Sequence, residues 1–158
     1  MNRVLRYKGP CAGVNEWLQP KKGGGMMLRP RYRDFKEQMQ VMFQLQWGGD
    51  PPIKYPVDVL LEIVMPGTDA DALNKPIFDA LEAAGVLADD KLIRNYAVLP
   101  ADRQAPAHTC EIIVRICEHS AQFREALSPF RERNPGREII PPGPRKRRGD
   151  NPQKSFKE

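Results

Sequence analysis

No run of about eighteen apolar residues occurs anywhere in the chain, which leaves no candidate for a transmembrane helix. The opening residues, Met1-Asn2-Arg3-Val4-Leu5-Arg6, lack the apolar core of a secretory signal, and a cytoplasmic location is expected. Cysteine is scarce: Cys11, Cys110 and Cys117 are three in number, show no C-x-x-C spacing, and so indicate neither a disulfide framework nor a zinc ribbon. They are expected to be ordinary reduced thiols behaving as small hydrophobes. Internal repeats are absent as well.

Proline, by contrast, is abundant. Sixteen prolines in 158 residues stand against an average near 5% of a chain, so some segments are barred from regular structure. The hydrophobic share of 41% is nonetheless enough for a core. These two facts are reconciled by position. The segment from Arg131 to Glu158 holds five of the prolines and nine Lys/Arg with few apolar residues, the composition of a solvated tail. A folded domain over residues 1–130 followed by a Pro/Arg/Lys-rich tail over 131–158 is therefore expected.

The formal net charge of +5 hides a strongly uneven distribution. Residues 1–36 carry nine Lys/Arg against Glu16 and Asp34, residues 37–130 carry seven against fourteen acids, and residues 131–158 carry nine against four. An acidic centre lies between two basic blocks. Basic blocks suit a polyanionic partner, and the acidic centre calls for a separate explanation.

Local patterns order the elements. Val4 to Tyr7 alternates as a short edge strand, and Gly9 to Gly25, with five glycines and Lys21-Lys22, reads as a long loop. Phe35, Met39, Met42 and Gln46, with Phe43 beside them, recur at helical spacing between Pro30 and Gly48-Gly49. Val57 to Met65 is β-branched and apolar, a strand. A second helix is expected over roughly 72–84, with Pro76 in its first turn and Gly85 as its stop. Leu92 to Leu99 and Thr109 to Cys117 are further strands, and Ser120 to Phe130 a closing helix. The order strand, helix, strand, helix, strand, strand implies an α/β (α+β) domain with a sheet flanked by helices.

Between the third and fourth elements lies Thr68-Asp69-Ala70-Asp71-Ala72-Leu73-Asn74-Lys75-Pro76, followed after the helix by Asp89-Asp90. Asp69 and Asp71 project to one side of an extended segment and repel each other unless a cation joins them. Hard ions such as Mg²⁺ take one or two carboxylates together with waters and phosphate oxygens. Taken alone, Asp69 and Asp71 also suit turn and N-cap roles, Asp89-Asp90 a solvated turn, and Lys75 an exposed helical charge. Asp90 can join the first pair only if the chain after Gly85 runs back alongside the helix.

The contiguous stretch D-A-D-A-L-N-K-P-I-F-D-A-L-E-A-A-G-V-L-A-D-D-K-L-I, Asp69 to Ile93, resembles the RusA family of Holliday-junction resolvases. Its signature is D-x-D-N, a lysine four residues after the second Asp, a D-A-L helix, a glycine turn and a D-D pair. The resemblance extends over roughly residues 1–118 and implies a mixed sheet flanked by helices, acting as a homodimer on branched DNA. Carried over by position, it places metal-binding and catalytic carboxylates on Asp69, Asp71 and Asp90 and a catalytic lysine on Lys75. The metal implied is Mg²⁺, with Mn²⁺ as a substitute. Ala72 stands where the family usually has Asn, which puts a helix-start or supporting hydrogen bond in doubt and leaves the ligands in place.

The implied activity is paired, symmetric nicking of four-way junctions in recombination and repair; the alternative is a noncatalytic DNA-binding protein of the same fold. A metal-dependent phosphohydrolase of small substrates also fits the carboxylates but leaves the basic blocks unexplained. Lys8, Lys21, Lys22, Arg29, Arg31 and Arg33 are the candidate phosphate contacts. Trp17 and Phe35 could stack on unpaired bases near a crossover, but core or loop packing is the default reading for both. Arg145-Lys146-Arg147-Arg148 is a basic run suited to nonspecific DNA affinity or, equally, to a solubilising extension.

Overall fold

The computed structural model describes residues 2–12, 18–66, 73–100 and 105–133. Its frame is a four-stranded mixed sheet in the order β1-β6-β4-β5, formed by β1 (Asn2–Pro10), β6 (Thr109–Cys117), β4 (Val57–Val64) and β5 (Ile93–Pro100). β6 runs antiparallel to both β1 and β4, whereas β5 runs parallel to β4. A parallel neighbour requires a crossover, and helix α2 (Asn74–Ala83) provides it. The mixed α/β architecture expected from the element order is what the chain adopts.

Burial follows strand position. β4 lies between two neighbours and under helices on both faces, so all its residues are buried except half-buried Glu62. Val57, Val59, Leu61 and Ile63 face α1 (Pro30–Trp47) and α2, while Leu60 faces α3 (Ser120–Arg133) beside Ala97, Leu99 and Leu127. Among the described residues Asp58 is the single charged side chain with no exposure. It accepts a hydrogen bond from Asn95 Nδ2 at 2.9 Å and lies 3.4 Å from Arg94 Nε, tying the start of β4 to the start of β5.

Helix α1 begins at Pro30, where a missing N–H costs nothing, and stops at Gly48, whose φ of +72° is the left-handed turn that glycine allows. Its buried face is Tyr32, Phe35, Met39, Phe43 and Trp47. The expected stripe is therefore corrected: Met42 is 41% exposed and Gln46 is polar edge rather than core. Gln46 instead accepts from Arg6 N at 2.8 Å and donates to Arg6 O at 2.7 Å, so its amide acts as one extra rung on the outer edge of β1.

Three further corrections concern where elements lie. The edge strand β1 is nine residues rather than four, because every residue from Asn2 to Pro10 pairs with β6. Leu18–Pro20 (β2), inside the loop expected over Gly9 to Gly25, pairs with Met26–Leu28 (β3) just after it as a short antiparallel ribbon closed by Gly23, Gly24 and Gly25. Helix α3 reaches Arg133, three residues past its expected end at Phe130. All three cysteines are free and buried. Among the described residues no helix is long and apolar enough to cross a membrane.

Candidate metal and phosphate site on helix α2

Helix α2 turns its apolar side, Ile77, Phe78, Ala80 and Leu81, into the core. Left outside are Lys75, Asp79 and Glu82 at i, i+4 and i+7, which share one stripe of a helix and span about 10 Å along its axis. Lys75 occupies the first turn, where the positive end of the helix dipole disfavours a cation. Asp79 compensates: its carboxylate oxygens lie 3.2 and 3.4 Å from Lys75 Nζ.

The same carboxylate also accepts from Lys36 Nζ at 2.9 Å, across from α1. Burial pushes the Asp79 pKa up, but the hydrogen bonds and charges of Lys36 and Lys75 outweigh it and hold the carboxyl below its usual range. Lys36 in turn lies 5.9 Å over the ring of Tyr32, whose phenol is pushed up by burial and by the charge of Asp79. One anion thus orients two lysines beside an exposed surface.

At the other end of the stripe the chain reverses at Gly85, φ +71°. The turn is pinned from outside: Ile53 N donates to Val86 O and Ala88 N donates to Ile53 O, both at 2.9 Å. This clamp delivers Asp89 and Asp90 next to the last turn of α2. Asp89 caps the 3-10 turn Asp90–Leu92 by accepting from Lys91 N at 2.8 Å, and Asp90 N donates to Glu82 Oε2 at 3.3 Å.

Oxygens of Glu82, Asp89 and Asp90 all lie within 4.8 Å of one another. Three carboxylates at the negative end of a helix dipole repel one another and the helix, and a cation relieves both costs. The donor set is all oxygen and partly exposed, which fits a hard divalent ion that keeps some of its waters. Glu82 was not a sequence candidate. The signal that points to it is an acid in the last turn of a helix, where the dipole disfavours it, followed by a glycine turn and a D-D pair.

Of the expected site residues, Asp69 and Asp71 lie outside the described residues, in the segment between β4 and α2. Asp90 is at the C-terminal end of α2 beside Glu82, and Lys75 at its N-terminal end; they are linked through the stripe rather than by direct contact. The basic candidates disperse. Lys8 pairs with Glu111 at 2.9 Å on the β1 edge, Arg31 Nη2 donates to Cys11 O at 3.0 Å, and Arg33 lies 3.8 Å from Asp34 and 3.9 Å from Glu37. Lys21, Lys22 and Arg29 are exposed on the β2–β3 ribbon and at the start of α1. Phe35 is fully buried, edge-to-face with Tyr7 at 5.6 Å, so it is core and cannot stack on bases. Trp17 and the run Arg145-Lys146-Arg147-Arg148 lie outside the described residues.

The model of the family described as endodeoxyribonuclease RusA matches residues 9–116. The chain belongs to the RusA family. The match takes in β4, α2, the acidic turn and all but the last residue of β6, and makes this chain an endodeoxyribonuclease. The crossover junction endodeoxyribonuclease RusA of Aquifex aeolicus (strain VF5) is 30% identical over 89 residues, covering 54% of this chain and 69% of that protein. Within this RusA-family chain, Glu82, Asp89 and Asp90 are the described carboxylates that converge as a metal site requires.

Proposed function

We propose that this RusA-family protein resolves Holliday (four-way) DNA junctions by Mg²⁺-dependent, paired symmetric nicks in recombination and repair. The observation that carries the reading is the convergence of Glu82, Asp89 and Asp90 at one end of a stripe whose other end presents Lys75. The relative from Aquifex aeolicus is itself named for junction cleavage. Asp69, Asp71 and Asp90 hold the ion, with Glu82 and Asp89 beside Asp90; Mn²⁺ substitutes for Mg²⁺.

Phosphodiester hydrolysis brings a water to an anionic phosphate and expels an oxyanion, so positive charge is needed on both sides of phosphorus. The ion, when bound, polarises a phosphate oxygen and lowers the pKa of a coordinated water. Lys75, steered by Asp79, stabilises charge on the scissile phosphate or on the departing 3′ oxygen. A duplex advancing on a carboxylate cluster is repelled unless cations neutralise its backbone, the role assigned to Lys8, Lys21, Lys22, Arg29, Arg31 and Arg33. The nuclease domain expected over residues 1–130 extends to the end of α3 at Arg133, and the basic run of the following tail adds nonspecific affinity.

Two symmetric cuts call for two symmetric sites, so the working unit is a homodimer. Asp71→Asn and Asp90→Asn test the ligand assignment. Each removes metal-binding charge and leaves the basic surface intact, so junction binding is retained and cutting is lost. Normal cutting by either variant contradicts the assignment.

A further inference from the structure

The β2–β3 ribbon takes no part in the chemistry on α2, yet its composition is unusual for a surface ribbon. Every residue from Pro20 to Arg31 is exposed, and the strand that closes the ribbon is Met26-Met27-Leu28, at 59, 40 and 41% exposure. Alternate residues of a strand point to opposite faces, so Met26 and Leu28 lie on one face and Met27 on the other. Both faces of β3 are apolar, and none of its three side chains is buried against the body of the protein.

Which partner covers such a ribbon follows from its shape and charge. Docking on a flat protein surface covers one face of a ribbon; insertion between two parallel planes covers both. From Pro20 to Arg33 there are five cations, Lys21, Lys22, Arg29, Arg31 and Arg33, and no acid, so a second copy of this segment is repelled and a phosphate backbone attracted. Among the described residues Lys21 and Lys22 enter no ion pair, and glycines at positions 23, 24 and 25, with φ of +100°, +100° and +84°, keep the tip narrow. The ribbon leads directly into the start of α1, which has no acid in its first turn, so the positive end of the helix dipole adds to the same cationic patch.

We propose that the β2–β3 ribbon is a wedge that inserts Met26, Met27 and Leu28 between base pairs at the branch point, while Lys21, Lys22 and Arg29 hold the flanking phosphates. Apolar side chains between base steps, ringed by cations, unstack and bend DNA, and a branch point yields most easily because its stacking is already interrupted. This deepens the junction reading and rests on it.

The test uses the full chain, without divalent metal, on a four-way junction carrying 2-aminopurine either at the branch or in the middle of an arm. Wild-type protein raises fluorescence at the branch and not in the arm. A Met26→Ser, Met27→Ser, Leu28→Ser variant binds the junction but loses the rise, and with Mg²⁺ restored its cutting rate falls about tenfold or more. Met26→Leu with Met27→Leu preserves both signals. Lys21→Ala with Lys22→Ala keeps the rise at saturation but reduces the slope of log affinity against log salt by about two. A triple-serine variant that unstacks and cuts like wild type overturns the wedge, as does one whose sole change is dissociation of a dimer in sedimentation. Wild-type protein that neither binds nor cuts the junction instead overturns the junction reading itself, and the wedge with it.

Discussion

Replacing Asp79 by Asn removes one negative charge that serves two lysines, and its effect is set by how exposed those pairs are. The Lys36 pair is the stronger: its side chains are 29% and 25% exposed, and it joins α1 to α2. A partly buried pair of this kind contributes about 1 kcal/mol, at the upper end of the range for surface pairs. The Lys75 pair is weaker, about 0.3 kcal/mol, because Lys75 is half-exposed and the Lys-before-Asp order is the less favourable one. The variant also leaves Lys75 uncompensated at the positive end of the helix dipole, so a total near 1–2 kcal/mol is expected, a melting-temperature drop of about 3–6 °C.

The pH dependence separates this account from a generic packing defect. The Asp79 pKa is lowered in the folded protein, so its contribution is complete above the unfolded value of about 3.9 and is lost as pH falls through the lowered folded value. Thermal melts between pH 7 and pH 3 therefore show a gap between wild type and variant that is constant at neutral pH and narrows once pH falls below about 4. A gap of the same size at both ends refutes the ion-pair reasoning. No gap at all refutes the assignment of Asp79 as the clasp between α1 and α2.

Further outcomes follow from the same structure. Asp58→Ala strands the Asn95 amide and Arg94 at the start of β5 and lowers stability by about 1–3 kcal/mol in urea titration, with no change expected in a surface control such as Glu125→Ala. Glu82→Gln removes one charge from the acidic cluster and raises the Mg²⁺ concentration for half-maximal cutting about tenfold, measured by metal titration at fixed DNA; an unchanged midpoint removes Glu82 from the site.

The elements with long, regular patterns were legible in the amino-acid order: α1 between Pro30 and Gly48, the β-branched β4, and β5 and β6. Their faces were less so. On α1, spacings of 35, 39, 42 and 46 and of 32, 35, 39, 43 and 47 both satisfy a helical period, and what decides between them is the β1 edge, which takes Gln46 as a hydrogen-bond partner and leaves Met42 outside. The β2–β3 ribbon leaves no mark in the amino-acid order, because two three-residue strands are too short for alternation to register and its glycines signal a loop equally well.

The site divides in the same way. The D-x-D, Lys75 and D-D pattern was visible because its spacing is contiguous along the chain. Glu82 was not, since its place beside Asp90 depends on the clamp that Ile53, remote in sequence, puts on the turn at Gly85. Lys36 was equally hidden: only the packing of α1 on α2 brings it to Asp79. The sign change along the sequence, basic, then acidic, then basic, anticipated a carboxylate centre bordered by cations without showing which acids converge.

The most direct test is to map the products from a four-way junction, labelled in turn on each strand, after incubation with the wild-type chain in Mg²⁺. The account predicts paired nicks at symmetric positions across the branch, none when the metal is chelated, and little cutting of a linear duplex of the same sequence. Cutting that persists without metal, or that proceeds as fast on the linear duplex, contradicts it.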